Sequence, residues 1–260
     1  ATSFTVTIST AAATDGFLVI RKTGAVPTGV PENGVTYSQN ASLGDGLVVY
    51  VGATASFEQT GLITLTTYHY AVFAYNGTSG TYHYSAVLNS NVSTLATDPG
   101  SGPSALVVSN VSESEIDFSF TAASAPVTGY LILRKADSEA TGVPDGGTVY
   151  NVGNQIGDAE VVYKGTSVTF EDNGLQPSTH YYYSIIAFNG QDADNSINYL
   201  NTAVLTGSQR TLASEPTNQP TNLQFSAVTS SSLSGSYTAA TGGADGYLIV
   251  RNEGTDAYTG

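Results

Sequence analysis

Residues 129–135 read GYLILRK. In an extended chain Tyr130, Ile132 and Arg134 point to one side, and Leu131, Leu133 and Lys135 to the other. Both sides are apolar as far as Leu133, which predicts a strand covered on two faces. A near copy, GFLVIRK, occupies residues 16–22, and a third, GYLIVRN, residues 246–252. The chain is internally repetitive, and the repeat decides the fold.

Gly16 and Gly129 lie 113 residues apart. The same offset carries Arg21 onto Arg134, Asp45 onto Asp158, Tyr50 onto Tyr163, Phe57 onto Phe170, Tyr68 onto Tyr181 and Asn76 onto Asn189. Beyond Asn189 the offset becomes 117, which carries Thr94-Leu95-Ala96 onto Thr211-Leu212-Ala213. Four residues are therefore inserted in one loop, GQDADNSINY against GTSGTY, and insertions are tolerated at loop tips rather than in strands. A unit of this length is a domain with its own core, too long for a solenoid repeat. The expected division is a first repeat over 1–96 lacking its first strand, a whole repeat over 97–213, and the first strands of a third over 214–260. Both ends fall inside a repeat, and Ala1 is not a translation start. A piece of a longer repetitive protein is expected.

The composition agrees with strands joined by turns. Apolar residues make up 40% and charged residues 11% of the 260, with 28 Gly and 17 Tyr. No segment has a helical period with caps, and roughly seven or more antiparallel strands per repeat are expected. The net charge of −14 disfavours nucleic acid and anionic lipid, and no apolar run is long enough to span a membrane. Cysteine is absent, which excludes disulfides, thiolate–metal sites and thiol catalysis.

Residues 175–190, LQPSTHYYYSIIAFNG, alternate apolar and polar positions after a turn. This stretch resembles the E–F region of a fibronectin type III domain, and GYLILRK resembles that family's strand C. The resemblance implies an all-β fold of tandem immunoglobulin-like sandwiches. It also implies a tyrosine corner at Tyr181 and at its repeat partner Tyr68, the hydroxyl bonding backbone a few residues upstream. Two features depart from the family. The usual strand-B Trp is missing, with Phe118 and Val6 at the nearest positions. The repeat also exceeds the roughly 90 residues usual for the family, the excess forming an extra hairpin segment after strand C, TGVPxxG…VVYxG. This longer variety is similar to repeats of large secreted and surface proteins of Bacteroidetes, which implies an extracellular or cell-surface setting.

The residues offer little chemistry. His69, His83 and His180 stand at non-equivalent repeat positions, and no nucleophile elbow, P-loop or zinc spacing is present. Asp45 and Asp158, like Glu32 and Asp145, recur in turns, where acids bond their own backbone. The inserted loop sets Asp192 and Asp194 beside Asn195, the best candidate for Ca2+, although calcium needs six to eight oxygens. Tyr68, Tyr70, Tyr181 and Tyr183 are expected in the core. Tyr75 and Tyr182 face the other way, where a sugar could stack. No catalytic residue and no cofactor other than that possible Ca2+ is expected.

These observations lead to a non-catalytic stalk or filament segment of a long extracellular bacterial surface or adhesin-like protein. The alternatives are a carbohydrate-binding or spacer array on a secreted hydrolase, and a subunit that polymerises by strand exchange. The expected partners are neighbouring repeats, other copies of the chain and surface glycans.

Overall fold

In a computed structural model the described residues are 3–9, 14–242 and 244–254. Among them the chain is all strand and loop. The strands of the first part are β1 (Phe4–Thr7), β2 (Gly16–Thr23), β3 (Ser42–Leu43), β4 (Gly46–Gly52), β5 (Ser56–Gln59), β6 (Thr67–Asn76), β7 (His83–Tyr84) and β8 (Leu88–Ser93). Those of the second part are β9 (Ser104–Val111), β10 (Glu115–Thr121), β11 (Gly129–Ala136), β12 (Gln155–Ile156), β13 (Ala159–Gly165), β14 (Thr169–Asn173), β15 (His180–Asn189), β16 (Asn198–Tyr199) and β17 (Leu205–Arg210). The last part holds β18 (Thr221–Ser226) and β19 (Ser234–Thr238). Two compact units result, Ala1–Thr211 and Leu212–Gly260.

The second repeat has two facing sheets. One runs β14-β10-β9; the other runs β12-β13-β11-β15-β16, with β17 also paired to β15. The first repeat copies this as β1-β5 and as β3-β4-β2-β6-β7 with β8 on β6. Even the irregularities repeat: β11 slips register against β13 between Ile132 and Leu133, and β2 against β4 between Val19 and Ile20.

GYLILRK explains why each repeat has two cores. Tyr130 and Ile132 join Ile116, Phe118, Phe120, Tyr183 and Ile185 between the sheets. Leu131 and Leu133 enter a separate cluster on the outer face with Ile156, Val161, Ile186, Ile197 and Tyr199. The extra segment after β11 supplies Ala140, Val149, Tyr150 and Ile156 to this cluster, and the inserted loop supplies Ile197 and Tyr199. The first repeat matches, with Phe17 and Val19 inside and Leu18 and Ile20 beneath Leu43, Tyr37 and Tyr84. Most of the extra segment is irregular, with strand only at β12 and β13. Fully burying a side chain of this size is worth about 1.5–3 kcal/mol, so the second core stabilises what would otherwise be an exposed apolar sheet face.

The third copy departs from the expectation of a strand C. Residues 246–252 adopt no strand, and Leu248 and Ile249 are exposed. In the other copies this segment is held between β4 and β6, or between β13 and β15, which come from later in the repeat. Among the described residues of the second unit only β18 and β19 pair.

Candidate functional site: a joint braced by the inserted loop

Tyrosine hydroxyls fasten the loops. Ile63 N–H donates to Tyr68 Oη at 2.9 Å, and Gln176 N–H to Tyr181 Oη at 2.9 Å. A second pair has the same five-residue spacing, Glu32 N–H to Tyr37 at 3.0 Å and Asp145 N–H to Tyr150 at 3.2 Å. A third pair clips the turn after β4 and β13, Thr54 N–H to Tyr50 at 3.0 Å and Ser167 N–H to Tyr163 at 2.8 Å. Across longer loops, Ala123 N–H reaches Tyr130 and Ala240 N–H reaches Tyr247. In each case a tyrosine hydroxyl satisfies a backbone donor that no ladder takes up, and Tyr50, Tyr68, Tyr130, Tyr163 and Tyr181 do so from within strands.

The recurrent acids behave likewise. Asp45 accepts from Thr28 N–H and pairs with Lys22 at 2.7 Å; Asp158 accepts from Thr141 N–H and pairs with Lys135 at 2.5 Å. The lysine, then the backbone N–H, holds each carboxyl at about 2, below the ordinary 3.8. Both ion pairs fasten the start of the extra segment to strand C.

Between the sheets the two repeats differ. Arg134 pairs with Asp172 at 2.7 Å and with Glu160 at 2.9 Å, and Tyr183 Oη donates to Asp172 at 2.7 Å. Burial raises the Asp172 carboxyl and outweighs its bonds to Tyr183 and Arg134. In the first repeat the position of Asp172 is Gln59, which accepts from Arg21 at 2.8 Å. Tyr70, the counterpart of Tyr183, keeps a buried hydroxyl without a hydrogen bond, and burial pushes it up to about 12.

The inserted loop has a specific task. Ala96 N–H donates to Ser196 O at 2.7 Å, and Asn198 Nδ2 donates to Ala96 O at 3.0 Å and to Asp98 Oδ1 at 2.6 Å. From the neighbouring strand, Asn189 Nδ2 donates to Thr97 O at 3.1 Å. Further on, Gly100 N–H meets the carbonyls of Ser124 and Pro126, and Ser124 N–H meets Ser101 Oγ at 2.8 Å. Packing is equally close. A Cβ at Gly102 would lie 2.0 Å from Ala203 O, and one at Gly146 would lie 2.7 Å from Leu95 Cδ1. On the first-repeat side Thr94 Oγ1 donates to Ile63 O at 2.6 Å and accepts from Thr66 N–H. The connector 94–102 is thus bonded to both repeats along its length.

Asp192, Asp194 and Asn195 serve the same loop. Both oxygens of Asp192 bind Lys164 Nζ, at 2.7 and 2.6 Å, and Asp194 Oδ1 accepts from Ser196 N–H at 3.0 Å. Asn195 takes a left-handed backbone, φ 55°. The two carboxylates are directed at a lysine and a backbone N–H. Among the described residues no three His, Cys, Asp or Glu gather where they could hold a metal.

Tyr75 lies edge-on to Tyr82, at 4.8 Å, and to Tyr84 over the outer core of the first repeat. Tyr182 stacks near His180, at 4.6 Å, in the second. Each is half-buried by its neighbours. The sequence analysis missed Ser196, Asn198, Asn189 and Arg134–Asp172 as working groups. Only the position of the insertion signalled the first two, because their partners lie about a hundred residues away along the chain.

The fold is all-β, with tandem fibronectin type III-like sandwiches. Residues 101–198 match the family model of the fibronectin type III domain. No curated protein matches the chain. Among solved structures it is similar to the chicken CNTN1 FN1-FN3 domains, with 18% identity, TM-score 0.44, and coverage of 81% of this chain and 63% of that one. It is also similar to an FN3 domain of human collagen XX, with 26% identity, TM-score 0.27, and coverage of 45% and 96%. A two-domain fibronectin type-III segment from chicken tenascin shows 17% identity, TM-score 0.31, and coverage of 81% and 93%. The chain spans less than two thirds of the length of the CNTN1 array.

Proposed function

We propose that the chain is a load-bearing spacer, a non-catalytic stalk or filament segment of a long extracellular bacterial surface or adhesin-like protein. Its repeats would be bounded at 1–96, 97–213 and 214–260. The braced connector 94–102 is the observation that carries this reading. A Gly- and Ser-containing linker left in solvent would act as a flexible coil. Here its polar groups are bonded to the inserted loop and to residues 124–126, which suits a rod that transmits force without bending. Fibronectin type III-like domains are in general non-catalytic structural modules, and Asp45, Asp158, Asp172, Asp192 and Asp194 are engaged with neighbouring groups of the fold. A net charge of −14 supports the same reading by limiting lateral clumping. No described helix is long and apolar enough to cross a membrane. The extracellular bacterial setting rests on the likeness of the long repeat to surface-protein repeats.

Pulling single molecules from both ends tests the proposal. The expected trace shows separate force peaks for the first two repeats, each at high force, after an early low-force release of the last unit. A gradual extension without peaks would overturn the load-bearing role.

A further inference from the structure

The second repeat carries a groove on the outer face of its larger sheet, beside the second core. Its floor is β15 and β17, where Tyr182 stands opposite Ser208 and Ser184 opposite Thr206. Its wall is the extra segment, residues 139–144. Two hollows, of about 120 and 210 Å³, share Ala140, Ser184 and Thr206 and so form one channel. Tyr182 and Glu139 line one end, and Ile186, Asn201 and Val204 the other.

The polar groups of this groove are unused by the fold. Among the described residues nothing bonds the side-chain hydroxyls of Ser184, Thr206 and Ser208, or the carboxylate of Glu139. Ser184 is the decisive one. It keeps only 9% of its surface exposed and lines both hollows. A hydroxyl so buried and without a partner costs free energy, which a ligand hydroxyl would recover. The first repeat does without the whole set. The 113-residue offset puts Val26, His69, Ala71 and Phe73 where Glu139, Tyr182, Ser184 and Ile186 stand, and Phe73 is bulkier than Ile186 and buried. The same architecture is therefore built without these groups.

We propose that this groove binds an uncharged oligosaccharide lying along β15 and β17. A sugar offers apolar C–H faces to an aromatic ring, and hydroxyls that both donate and accept. Tyr182 and the three side-chain hydroxyls match both demands. Charge selects against anionic ligands. Neither hollow is lined by Lys, Arg or His, while Glu139 lines one, and Lys135, opposite Tyr182 on β11, is engaged with Asp158. The Glu139 carboxylate accepts hydrogen bonds only, and the hydroxyls of a neutral sugar supply donors for it. Two joined hollows suit linked sugar units rather than one. Sugar binding and the spacer role are independent, since a chain that binds no sugar can still bear load.

The test is a titration of the whole chain with cellohexaose, xylohexaose, mannohexaose, chitohexaose and maltohexaose at millimolar concentration, followed by backbone amide chemical shifts. At least one sugar should shift the amides of Tyr182, Ser184 and Thr206 and saturate, while those of His69, Ala71 and Asn89 in the first repeat stay unmoved. Ser184→Ala, which copies the first repeat, should weaken that binding by about threefold to tenfold, the worth of one hydrogen bond. Ile186→Phe, also a copy of the first repeat, should fill the groove and abolish binding. Absence of a saturable shift with all five sugars overturns the proposal. So do shifts that neither variant alters, or hexagalacturonic acid binding as tightly as the neutral sugars.

Discussion

Asn198 donates to the carbonyl of Ala96 at 3.0 Å across 102 residues of sequence, while Ala96 N–H donates to Ser196 O two residues away. The end of one repeat is thereby added to the loop of the next as if it were a short strand. These bonds hold the connector against the second repeat, as does Gly102, whose lack of a side chain lets the backbone close on Ala203.

Replacing Asn198 and Asn189 together with alanine should loosen the joint while leaving both repeats folded. Spin labels placed one on each repeat should report a distance distribution that broadens, with thermal melts shifted only a little. Gly102→Val should act more strongly, since its Cβ would meet backbone. An unchanged distribution in both variants would mean that the loop does not set the joint.

Tyr181→Phe and Tyr68→Phe remove only an oxygen and leave the N–H of Gln176 or Ile63 without its acceptor. Each should cost about 1–3 kcal/mol, read from denaturant midpoints at constant m.

The buried pair Tyr183 and Tyr70 gives an internal control. Tyr183→Phe deprives Asp172 of a donor and should cost about 1–3 kcal/mol, whereas Tyr70→Phe should be close to neutral because its hydroxyl makes no hydrogen bond. Asp172→Ala should be the most damaging change in the second repeat, about 3–5 kcal/mol, because it strands the inward side of Arg134. Equal losses for the two tyrosine variants would contradict this account.

Stability should fall at both pH extremes for separate reasons. Asp45 and Asp158 are held at about 2 by Lys22 and Lys135. Their contribution is present above the ordinary carboxylate value of 3.8 and lost as pH drops through about 2. Asp172, raised by burial, opposes that loss, because its neutral form is the better tolerated one. At the other end, burial raises Tyr70 and Tyr84 to about 12 and Tyr183 higher still. Their contribution is present below the ordinary value of 10 and disappears as pH climbs past it. Melting temperatures across pH, with Lys22→Ala/Lys135→Ala as comparison, should show a smaller acid loss in that variant and an unchanged alkaline one.

Much of the architecture was legible in the sequence because it depends on local pattern. The alternation in GYLILRK and HYYYSIIAFNG sets which side chains share a face, and the 113-residue echo shows that the pattern recurs. Two-sided apolarity in 129–133 already required a cover on the outer face. The extra segment after strand C was one of the covers that the sequence offered, beside a neighbouring domain or subunit, and Ile156 of that segment does pack on Leu131 and Leu133. That Ile197 and Tyr199 of the inserted loop join it was not legible.

The inserted loop shows the same division. As sequence, its closely spaced acids allowed a cation site; in the fold, Asp192 meets Lys164 and Asp194 meets Ser196 N–H. Strand identity and the repeat follow from side-chain periodicity, a property of neighbours a few residues apart, and the sequence by itself determined them. Pairings between residues about a hundred positions apart depend on where the chain returns. Only the tertiary structure decided that Asn198 meets Ala96, or that Gly102 closes on Ala203.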